Sequence, residues 1–228
     1  MKAMLLAAGR GERLRPLTDE VPKALVEAGG KPLIAWHLER LAAAGCREAV
    51  INVSHLGERI VDAVGDGARF GLRVSYSREP ERLETAGGIA QALSLLGPQP
   101  FALLNADVYC EFPLGRLLGL SLGARLAHLV LVPNPVHRPR GDFGLVTGLI
   151  RSDAATRYTY AGLAVLSPEL VRSVTPGQKA PLAPLLYEAA DAGRMTGELY
   201  EGLWQDVGTL ERLAELEALL KNRRHGHR

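Results

Sequence analysis

The sequence predicts an α/β protein built on a mostly parallel, Rossmann-like sheet with helices on both faces. Three observations predict it. Strand-like and helix-like segments alternate through the first half of the chain, a glycine-containing loop follows the first apolar run, and the pattern becomes rich in strands after Asp107. Such alternation is typical of parallel strands joined by crossover helices. We expect some of the later strands to form a small antiparallel lobe.

The first half of the chain contains four predicted strands separated by three predicted helices. Short apolar or β-branched runs indicate the strands, and apolar residues at helical spacing indicate the helices. In chain order these segments are Lys2–Ala7, Pro32–Ala44, Glu48–Val53, Glu58–Val64, Leu72–Ser77, Gly88–Leu96 and Phe101–Asn105. Because ligands bind beyond the carboxyl ends of the strands in an open parallel sheet, we expect the loops at that edge to form the site.

The second half of the chain alternates less regularly. We expect Phe143–Ile150 and Arg157–Leu166 to pair with each other as an antiparallel ribbon. W-Q-D-V-G-T at 204–209 is predicted to be a turn, with Thr209 capping the final helix. The other predicted helices and strands are Pro113–Leu122, Ala127–Val132, Pro168–Val174, Leu182–Ala192, Met195–Glu201 and Leu210–Leu220.

The composition is that of one globular domain, with 228 residues, 47% of them hydrophobic and 23% charged. We predict a single domain over residues 1–220, followed by a disordered basic tail at 221–228. The net charge is +2, but this tail holds four cations and no acid, so the rest of the chain is slightly acidic. A nucleic-acid-binding face is therefore not indicated.

Two cysteines, Cys46 and Cys110, show neither metal-ligand spacing nor a redox C-x-x-C pattern, which favours a reducing compartment. No apolar stretch approaches the roughly 18 residues of a membrane span, and no cleavable signal is recognisable. We expect a cytoplasmic protein that interacts with neither membrane nor nucleic acid.

The loop after the first strand carries the strongest chemical signal. Gly9 and Gly11 allow the backbone to approach a ligand, and the nearby Arg10, Arg13 and Lys23 suit a polyphosphate. The loop lacks the third glycine of the dinucleotide fingerprint and the lysine of the P-loop. A turn with solvated arginines remains the alternative.

Two aspartates are candidate metal ligands. Asp107 follows an apolar strand, and Asp206 lies in W-Q-D-V-G-T. Mg²⁺ in phosphate sites takes one or two carboxylates together with phosphate oxygens and water. Each aspartate also fits the start of a helix, and sequence spacing leaves open whether the two side chains meet.

Five ordered motifs resemble those of the sugar-1-phosphate nucleotidylyltransferases and span essentially the whole chain. They are L-A-A-G-R-G-E-R-L-R-P-L-T with P-K-A-L, L-E-T-A-G-G-I, N-A-D-V, G-D-F-G and W-Q-D-V-G-T. Within this family the short bacterial N-acetylmuramate-1-phosphate uridylyltransferases are most similar, because they share L-E-T, R-G-D-F and E-L-Y-E-G-L-W. The L-E-T variant places Glu84 near the expected base pocket.

The resemblance implies a nucleotidyltransferase fold, with residues 1–110 binding the nucleotide and 111–220 binding the sugar. It also implies Mg²⁺ and a reaction of UTP with N-acetylmuramate 1-phosphate in cell-wall sugar recycling. Arg13 and Lys23 are the implied catalytic residues, and Asp107 and Asp206 the implied Mg²⁺ ligands. The nucleotide would contact Ala8, Gly9, Gly11, Glu12, Arg13, Lys23, Thr85 and Gly88. The sugar would contact Asn105, Asp142, Tyr160 and Gly162.

Several alternatives stay open at this point. A guanylyl- or thymidylyltransferase acting on mannose, heptose or glucose 1-phosphate would share the same motifs. A catalytically silent nucleotide-sensing subunit would be expected to lose the metal carboxylates or Lys23. Arg138 and Arg140 are either a solvated loop or contacts for an acidic sugar substituent. We expect a monomer or a weak dimer.

Overall fold

The computed structural model describes residues 1–225. The strands are β1 (Ala3–Leu6), β2 (Glu27–Ala28), β3 (Lys31–Pro32), β4 (Glu48–Val53), β5 (Arg73–Arg78), β6 (Phe101–Asn105), β7 (Val108–Cys110), β8 (Ala127–Val132), β9 (Gly144–Val146), β10 (Leu149–Arg151), β11 (Thr159–Leu166), β12 (Met195–Leu199) and β13 (Trp204–Asp206). The helices are α1 (Leu17–Glu20), α2 (Leu33–Ala43), α3 (Gly57–Val64), α4 (Glu84–Leu96), α5 (Leu114–Leu118), α6 (Ala183–Asp191) and α7 (Leu210–His225). Among the described residues, no helix has the length and apolar character needed to cross a membrane.

The central sheet confirms the predicted α/β class. Its strand order is β5-β4-β1-β6-β11-β8-β12-β10-β9, and β5, β4, β1 and β6 are neighbours in parallel register. β11 runs antiparallel between β6 and β8, while β12 is parallel to β8. Two small antiparallel sheets, β13 with β7 and β2 with β3, lie beside the main sheet.

Helices cover both faces of the sheet. In β1, Ala3 and Leu5 face a core built with α2, α3 and α5, whereas Met4 faces a second core built with α4 and α6. Both sets are fully buried, as expected for parallel strands with helices on either side. This packing leaves the carboxyl ends of β1, β4, β5 and β6 together at one edge.

A third apolar cluster attaches α7 to this edge. Leu216 and Leu220 of α7 pack with Val26, Leu33 and Val207. The cluster ties the last helix to the P-K-A-L segment and to W-Q-D-V-G-T, which are far apart in sequence.

The predicted ribbon of Phe143–Ile150 with Arg157–Leu166 is wrong. Phe143–Ile150 instead splits into the hairpin β9–β10, whose two-residue turn places Thr147 at φ +49° and Gly148 at φ +81°. Positive φ at both central positions is the type I′ geometry that matches strand twist. β11 enters the main sheet, and only an isolated bridge joins Phe143 to Tyr158.

Other segment boundaries also differ from the predictions. W-Q-D is not a turn but strand β13, which pairs with β7. Thr209 caps α7 as predicted, since its hydroxyl accepts from the Arg212 amide at 3.4 Å. The final helix continues past its predicted end at Leu220 to His225, so residues 221–225 are helical and not disordered, while 226–228 lie outside the described residues.

The helices predicted around 113–122 and 168–174 are shorter in the structure. The first ends before Gly119. The second is a single 3₁₀ turn at Pro168–Val171.

Candidate active site

The conformation of the loop after β1 depends on Gly11. Its φ is +67°, and a Cβ there would lie 2.9 Å from Thr18 Cγ2 and 3.1 Å from Lys23 Cβ. The Thr18 hydroxyl donates to the Gly11 carbonyl at 2.8 Å. Gly9, by contrast, has open space where a side chain would be. The loop thus packs tightly on the P-K-A-L segment and leaves an accessible peptide at Gly9.

A cleft follows the carboxyl edge of the sheet. Its inner part lies between the β1 loop and the start of α4, and its outer part extends along the Gly-Arg loop to Gly208; the two share Gly9, Lys23, Arg82 and Asp107. The predicted site residues that line the cleft are Ala8, Gly9, Gly11, Glu12, Arg13, Lys23, Thr85, Asn105 and Asp107.

The outer part of the cleft is rich in positive charge. Arg10, Arg13 and Arg82 are exposed there, and the Lys23 side chain is only 12% exposed. The Lys23 ammonium forms a short ion pair with Asp107 Oδ2. Several cations around accessible backbone N–H groups form an environment suited to a polyphosphate.

Asp107 and Asp206 come from distant parts of the sequence but lie on adjacent backbones. In the β13–β7 pair, Asp206 is opposite Val108. The Val207 amide donates to the Asp107 carbonyl at 2.9 Å. The small antiparallel sheet therefore places the backbones of the two candidate metal ligands next to each other.

The two carboxylate oxygens of Asp206 have different surroundings. Oδ2 accepts a short hydrogen bond from Arg212 Nη1. Oδ1 lies 3.1 Å from His137 Nε2, but that nitrogen is also 2.9 Å from Arg212 Nη1. The His137 imidazole therefore lies between the Arg212 guanidinium and the Asp206 carboxylate. Oδ1 itself is buried and has no hydrogen-bond partner.

The inner part of the cleft contains a buried polar network. The Ala7 amide donates to Asn52 Oδ1 at 2.8 Å, Asn52 Nδ2 donates to Glu79 Oε1 at 2.7 Å, and the Leu83 amide donates to Glu79 Oε2 at 3.0 Å. A Cβ on Gly88 would lie 2.5 Å from Glu79 Oε1. Gly88 therefore lies behind the residues that line the cleft, and its lack of a side chain leaves space for this network.

The sugar-side residues form two groups. Gly162 has φ +76° at a bulge in β11, and a Cβ there would lie 2.7 Å from Asn105 Nδ2, so this glycine accommodates the Asn105 side chain in the cleft. Asp142 Oδ2 accepts from the Tyr160 amide at 2.8 Å and lies 3.4 Å from Arg138 Nη1. Neither Asp142 nor Tyr160 is among the residues lining the cleft.

Tyr160 is held in a largely apolar setting. Its hydroxyl is buried without a hydrogen-bond partner, and burial raises the pKa of its phenol well above the ordinary value. The hydroxyl stays protonated at neutral pH and has a donor available.

Sequence reasoning missed Asn52, Glu79, Arg82, His137 and Arg212. Asn52 and Glu79 stand at or just after the ends of β4 and β5, and that position was the available signal. Arg212 and His137 had no such signal, because only tertiary packing brings them to Asp206.

A model of the nucleotidyl transferase family matches residues 2–157. The chain is also 49% identical over 226 residues to an N-acetylmuramate alpha-1-phosphate uridylyltransferase of Neisseria meningitidis, covering 96% of this chain and 98% of that protein. It is a member of the nucleotidyl transferase family. This family condenses a nucleoside triphosphate with a sugar 1-phosphate, and the cleft of this nucleotidyl transferase is lined by a glycine-containing loop and several cations.

Two further comparisons agree with this membership. An N-acetylmuramate alpha-1-phosphate uridylyltransferase of Caulobacter vibrioides is 35% identical, and the match covers 96% of each chain. The crystal structure of a Bacillus anthracis protein assigned as a glucose-1-phosphate thymidylyltransferase, in complex with sucrose, superposes with a TM-score of 0.85. That match covers 97% of this chain and 95% of the other at 18% identity, so it supports the nucleotidyl transferase fold alone.

Proposed function

We propose that this nucleotidyl transferase converts UTP and N-acetylmuramate 1-phosphate into UDP-N-acetylmuramate and pyrophosphate. The observation that carries the proposal is the near full-length 49% identity to the N. meningitidis uridylyltransferase, on a fold whose cleft is lined by Gly9, Lys23 and Asp107. In the reaction, a phosphate oxygen of the sugar phosphate attacks the α-phosphorus of UTP. The bond from that phosphorus to the β-bridging oxygen breaks, and pyrophosphate leaves.

This reaction depends on the positioning of the two substrates and on positive charge more than on a general base. A sugar 1-phosphate is mostly a dianion at neutral pH, with a second pKa of about 6, so its oxygen is already nucleophilic. We assign Arg13 to the β- and γ-phosphates, and Lys23 to the α-phosphate and the incoming sugar phosphate. Lys23 would exchange its Asp107 partner for phosphate oxygens, while the Gly9 peptide lies against the nucleotide.

Asp107 and Asp206 are the residues that would hold Mg²⁺. The buried Asp206 Oδ1 has no donor, and leaving such an oxygen unpaired costs about 1–3 kcal/mol, so a cation at this position fits it. No cluster of three or more His, Cys, Asp or Glu residues suited to a metal occurs in the described part of the chain. This fits an ion completed by substrate phosphates and water. When bound, Mg²⁺ supplies charge neutralisation of the phosphates.

Base and sugar recognition are assigned to the inner cleft and its neighbours. Thr85, the Asn52–Glu79 network and Asn105 line the inner cleft, and we assign the first two to the base and Asn105 to the sugar. Arg138 and Arg140 are exposed on the loop next to Asp142, and we propose that this loop meets the lactyl carboxylate of the muramic acid. Cys46 and Cys110 are free and buried, which supports action in the reducing cytoplasm.

A substrate matrix tests the proposed function. Four nucleoside triphosphates are combined with muramate, glucosamine, glucose, mannose and heptose 1-phosphates, and pyrophosphate release is followed with and without Mg²⁺. We expect turnover with UTP and N-acetylmuramate 1-phosphate to exceed the others and to require Mg²⁺. Preference for GTP with mannose or heptose phosphate, or for dTTP with glucose phosphate, would replace the substrate assignment, and no turnover anywhere would refute catalysis.

Variants of the metal and phosphate residues test the same proposal. We expect Asp107→Ala, Asp206→Ala and Lys23→Ala each to reduce kcat by at least about 10²–10³, as for other lost transition-state contacts. Arg151, an exposed cation at the far edge of the sheet, provides the control Arg151→Ala, which should leave kcat unchanged. Wild-type kcat in any of the first three would remove that residue from its role.

A further inference from the structure

Arg212 is a buried arginine on α7 that none of the family motifs includes. Only 8% of the residue is exposed, although arginine is seldom buried unless it is paired. Its Nη1 donates to Asp206 Oδ2 and lies 2.9 Å from His137 Nε2. Its guanidinium is therefore held between a candidate metal ligand and the 133–142 loop.

Arg212 gives the two carboxylate oxygens of Asp206 different surroundings. Oδ2 is occupied by the guanidinium, which fixes the plane of the carboxylate. The same guanidinium lies 2.9 Å from His137 Nε2, and that nitrogen is 3.1 Å from Oδ1. Oδ1 is buried and has no hydrogen-bond partner, so it remains available as an acceptor.

The sequence leaves space for this arrangement at Gly208. A Cβ there would lie 2.3 Å from Arg212 Nη2, 2.9 Å from Arg212 Cζ and 3.0 Å from Arg13 Nη2. The backbone of Gly208 does not require a positive φ. A side chain at 208 would therefore displace these guanidinium ends, and glycine leaves them their space without adopting a conformation that favours glycine.

We infer that Arg212 is a positioning residue that presents Asp206 Oδ1 to the metal ion, with Gly208 providing the space for its guanidinium. The inference rests on the proposed function in one respect, namely that Asp206 binds a divalent cation. Outer partners of metal ligands orient the ligand, and their loss typically weakens metal binding about 10- to 100-fold. Arg212 acts on the metal through Asp206 and is not itself assigned a contact with substrate.

Metal affinity is the measurement that separates positioning from support of the fold. Mn²⁺ binding to the full-length protein is followed by the EPR signal of free Mn²⁺, and the Mg²⁺ concentration for half-maximal turnover is measured alongside thermal unfolding. We expect Arg212→Met to weaken Mn²⁺ binding and raise the Mg²⁺ half-saturation by about 10-fold or more. Arg212→Lys, which keeps one donor, should show a smaller shift.

Arg223 provides a matched control on the same helix. It pairs with Glu111 at 2.6 Å and is exposed, away from the metal carboxylates. Arg223→Met should leave both metal readouts unchanged. If Arg212→Met lowers the melting temperature but leaves Mn²⁺ binding and Mg²⁺ half-saturation at wild-type values, Arg212 is only structural and the inference is wrong.

A double-mutant cycle tests the link to Gly208. Gly208→Ala alone should weaken metal binding, because the new methyl group displaces the guanidinium. In Gly208→Ala/Arg212→Met the methyl has space, so the double variant should bind metal no more weakly than Arg212→Met alone. If the two substitutions instead weaken metal binding by factors that multiply, Gly208 and Arg212 act independently and their proposed link is wrong.

The experiments still test the inference if a variant is unstable or the wild-type protein is inactive. Where Arg212→Met does not fold, Arg212→Lys and Gly208→Ala carry the same comparison. A wild-type protein that neither binds Mn²⁺ nor turns over would refute the proposed function, whereas an active wild type with unshifted variants would refute the role of Arg212 alone.

Discussion

Glu84, the residue that replaces glycine in L-E-T, adopts a backbone conformation that side chains rarely take. Its φ is +60° at the first position of α4, where it lines the cleft beside Thr85. A left-handed conformation costs a non-glycine residue about 1–2 kcal/mol. Its carboxylate lies 3.6 Å from Lys179, but both side chains are substantially exposed, so this pair returns little stability.

We therefore expect Glu84→Gly to stabilise the protein. Relief of the left-handed strain outweighs the greater unfolded-state entropy of glycine, for a net gain of about 0.5–1 kcal/mol, or about 2 °C in melting temperature. Urea unfolding of Glu84→Gly is compared with Glu84→Gln, which removes the charge and keeps the strain. Equal stability of the two variants would show that backbone strain is not the cause.

Among individual residues, the sequence predicted those of the candidate site that a local motif or the end of a strand marks. Gly9, Gly11 and Lys23 lie within one loop and its continuation, and Asp107 directly follows an apolar strand. Asp206 was suggested by its motif, but the approach of its backbone to that of Asp107 depends on the β13–β7 pairing, which local sequence does not indicate. The same is true of Arg212, which reaches Asp206 only because α7 docks on the third apolar cluster.

Among the elements, β11 connects the two halves of the sheet and carries a bulge at the site. The register between β11 and β8 shifts between Tyr160 and Ala164, and Gly162 lies within this shift at φ +76°. A bulge bends the strand and redirects its side chains. Here the missing side chain leaves room for Asn105, which lines the cleft from the end of β6.

Gly162→Ala should damage both stability and sugar binding. We expect about 1–2 kcal/mol of destabilisation from the left-handed backbone, together with a raised KM for the sugar phosphate because the new Cβ displaces Asn105. The control is Gly148→Ala in the β9–β10 turn, which has a similar φ of +81° but no atom within 4 Å of the new Cβ. It should lose comparable stability with KM unchanged; a matching rise in its KM would point to backbone strain instead of Asn105.

Sequence patterns predicted the individual strands better than they predicted which strands pair with each other. Glu48–Val53, Phe101–Asn105 and Ala127–Val132 were placed at their observed bounds because each is a short and mostly buried run. The hairpin turn at Thr147–Gly148 and the place of β11 between β6 and β8 were missed. Strand order depends on long-range packing, and a single strand's pattern shows that it is buried but not which neighbours bury it.

For the whole molecule, the last helix and the first half of the chain are joined around the site. Glu217 Oε1 of α7 accepts from the Gly29 amide at 2.9 Å, and Leu220 packs near the same glycine. Trp36 of α2 stands edge-to-face on Tyr109 of β7 in this cluster. Folding of α2, β7 and α7 is thus coupled to the arrangement of Asp107 and Asp206, so stability and site geometry share residues.

His37 makes this coupling sensitive to acid. It lies on α2, is 2% exposed, and its Nε2 has no partner. Burial lowers its pKa to about 4, and hydrogen bonding to the backbone of Val108 only partly opposes the shift. The unfolded chain, with an ordinary pKa near 6.5, therefore binds the proton more readily than the folded protein. Stability is fully present above about pH 6.5 and is lost as the pH falls toward 4.

The loss attributable to His37 is on the order of 3 kcal/mol, since each pKa unit corresponds to about 1.4 kcal/mol. The free energy of unfolding of wild type and His37→Gln is measured by urea titration at several pH values between 7.5 and 4. Taking the difference between the two proteins removes the titrations they share. We expect any advantage of wild type at pH 7.5 to shrink by about that amount at pH 4, because glutamine has no proton to gain. A difference that stays constant with pH would show that His37 does not couple protonation to folding.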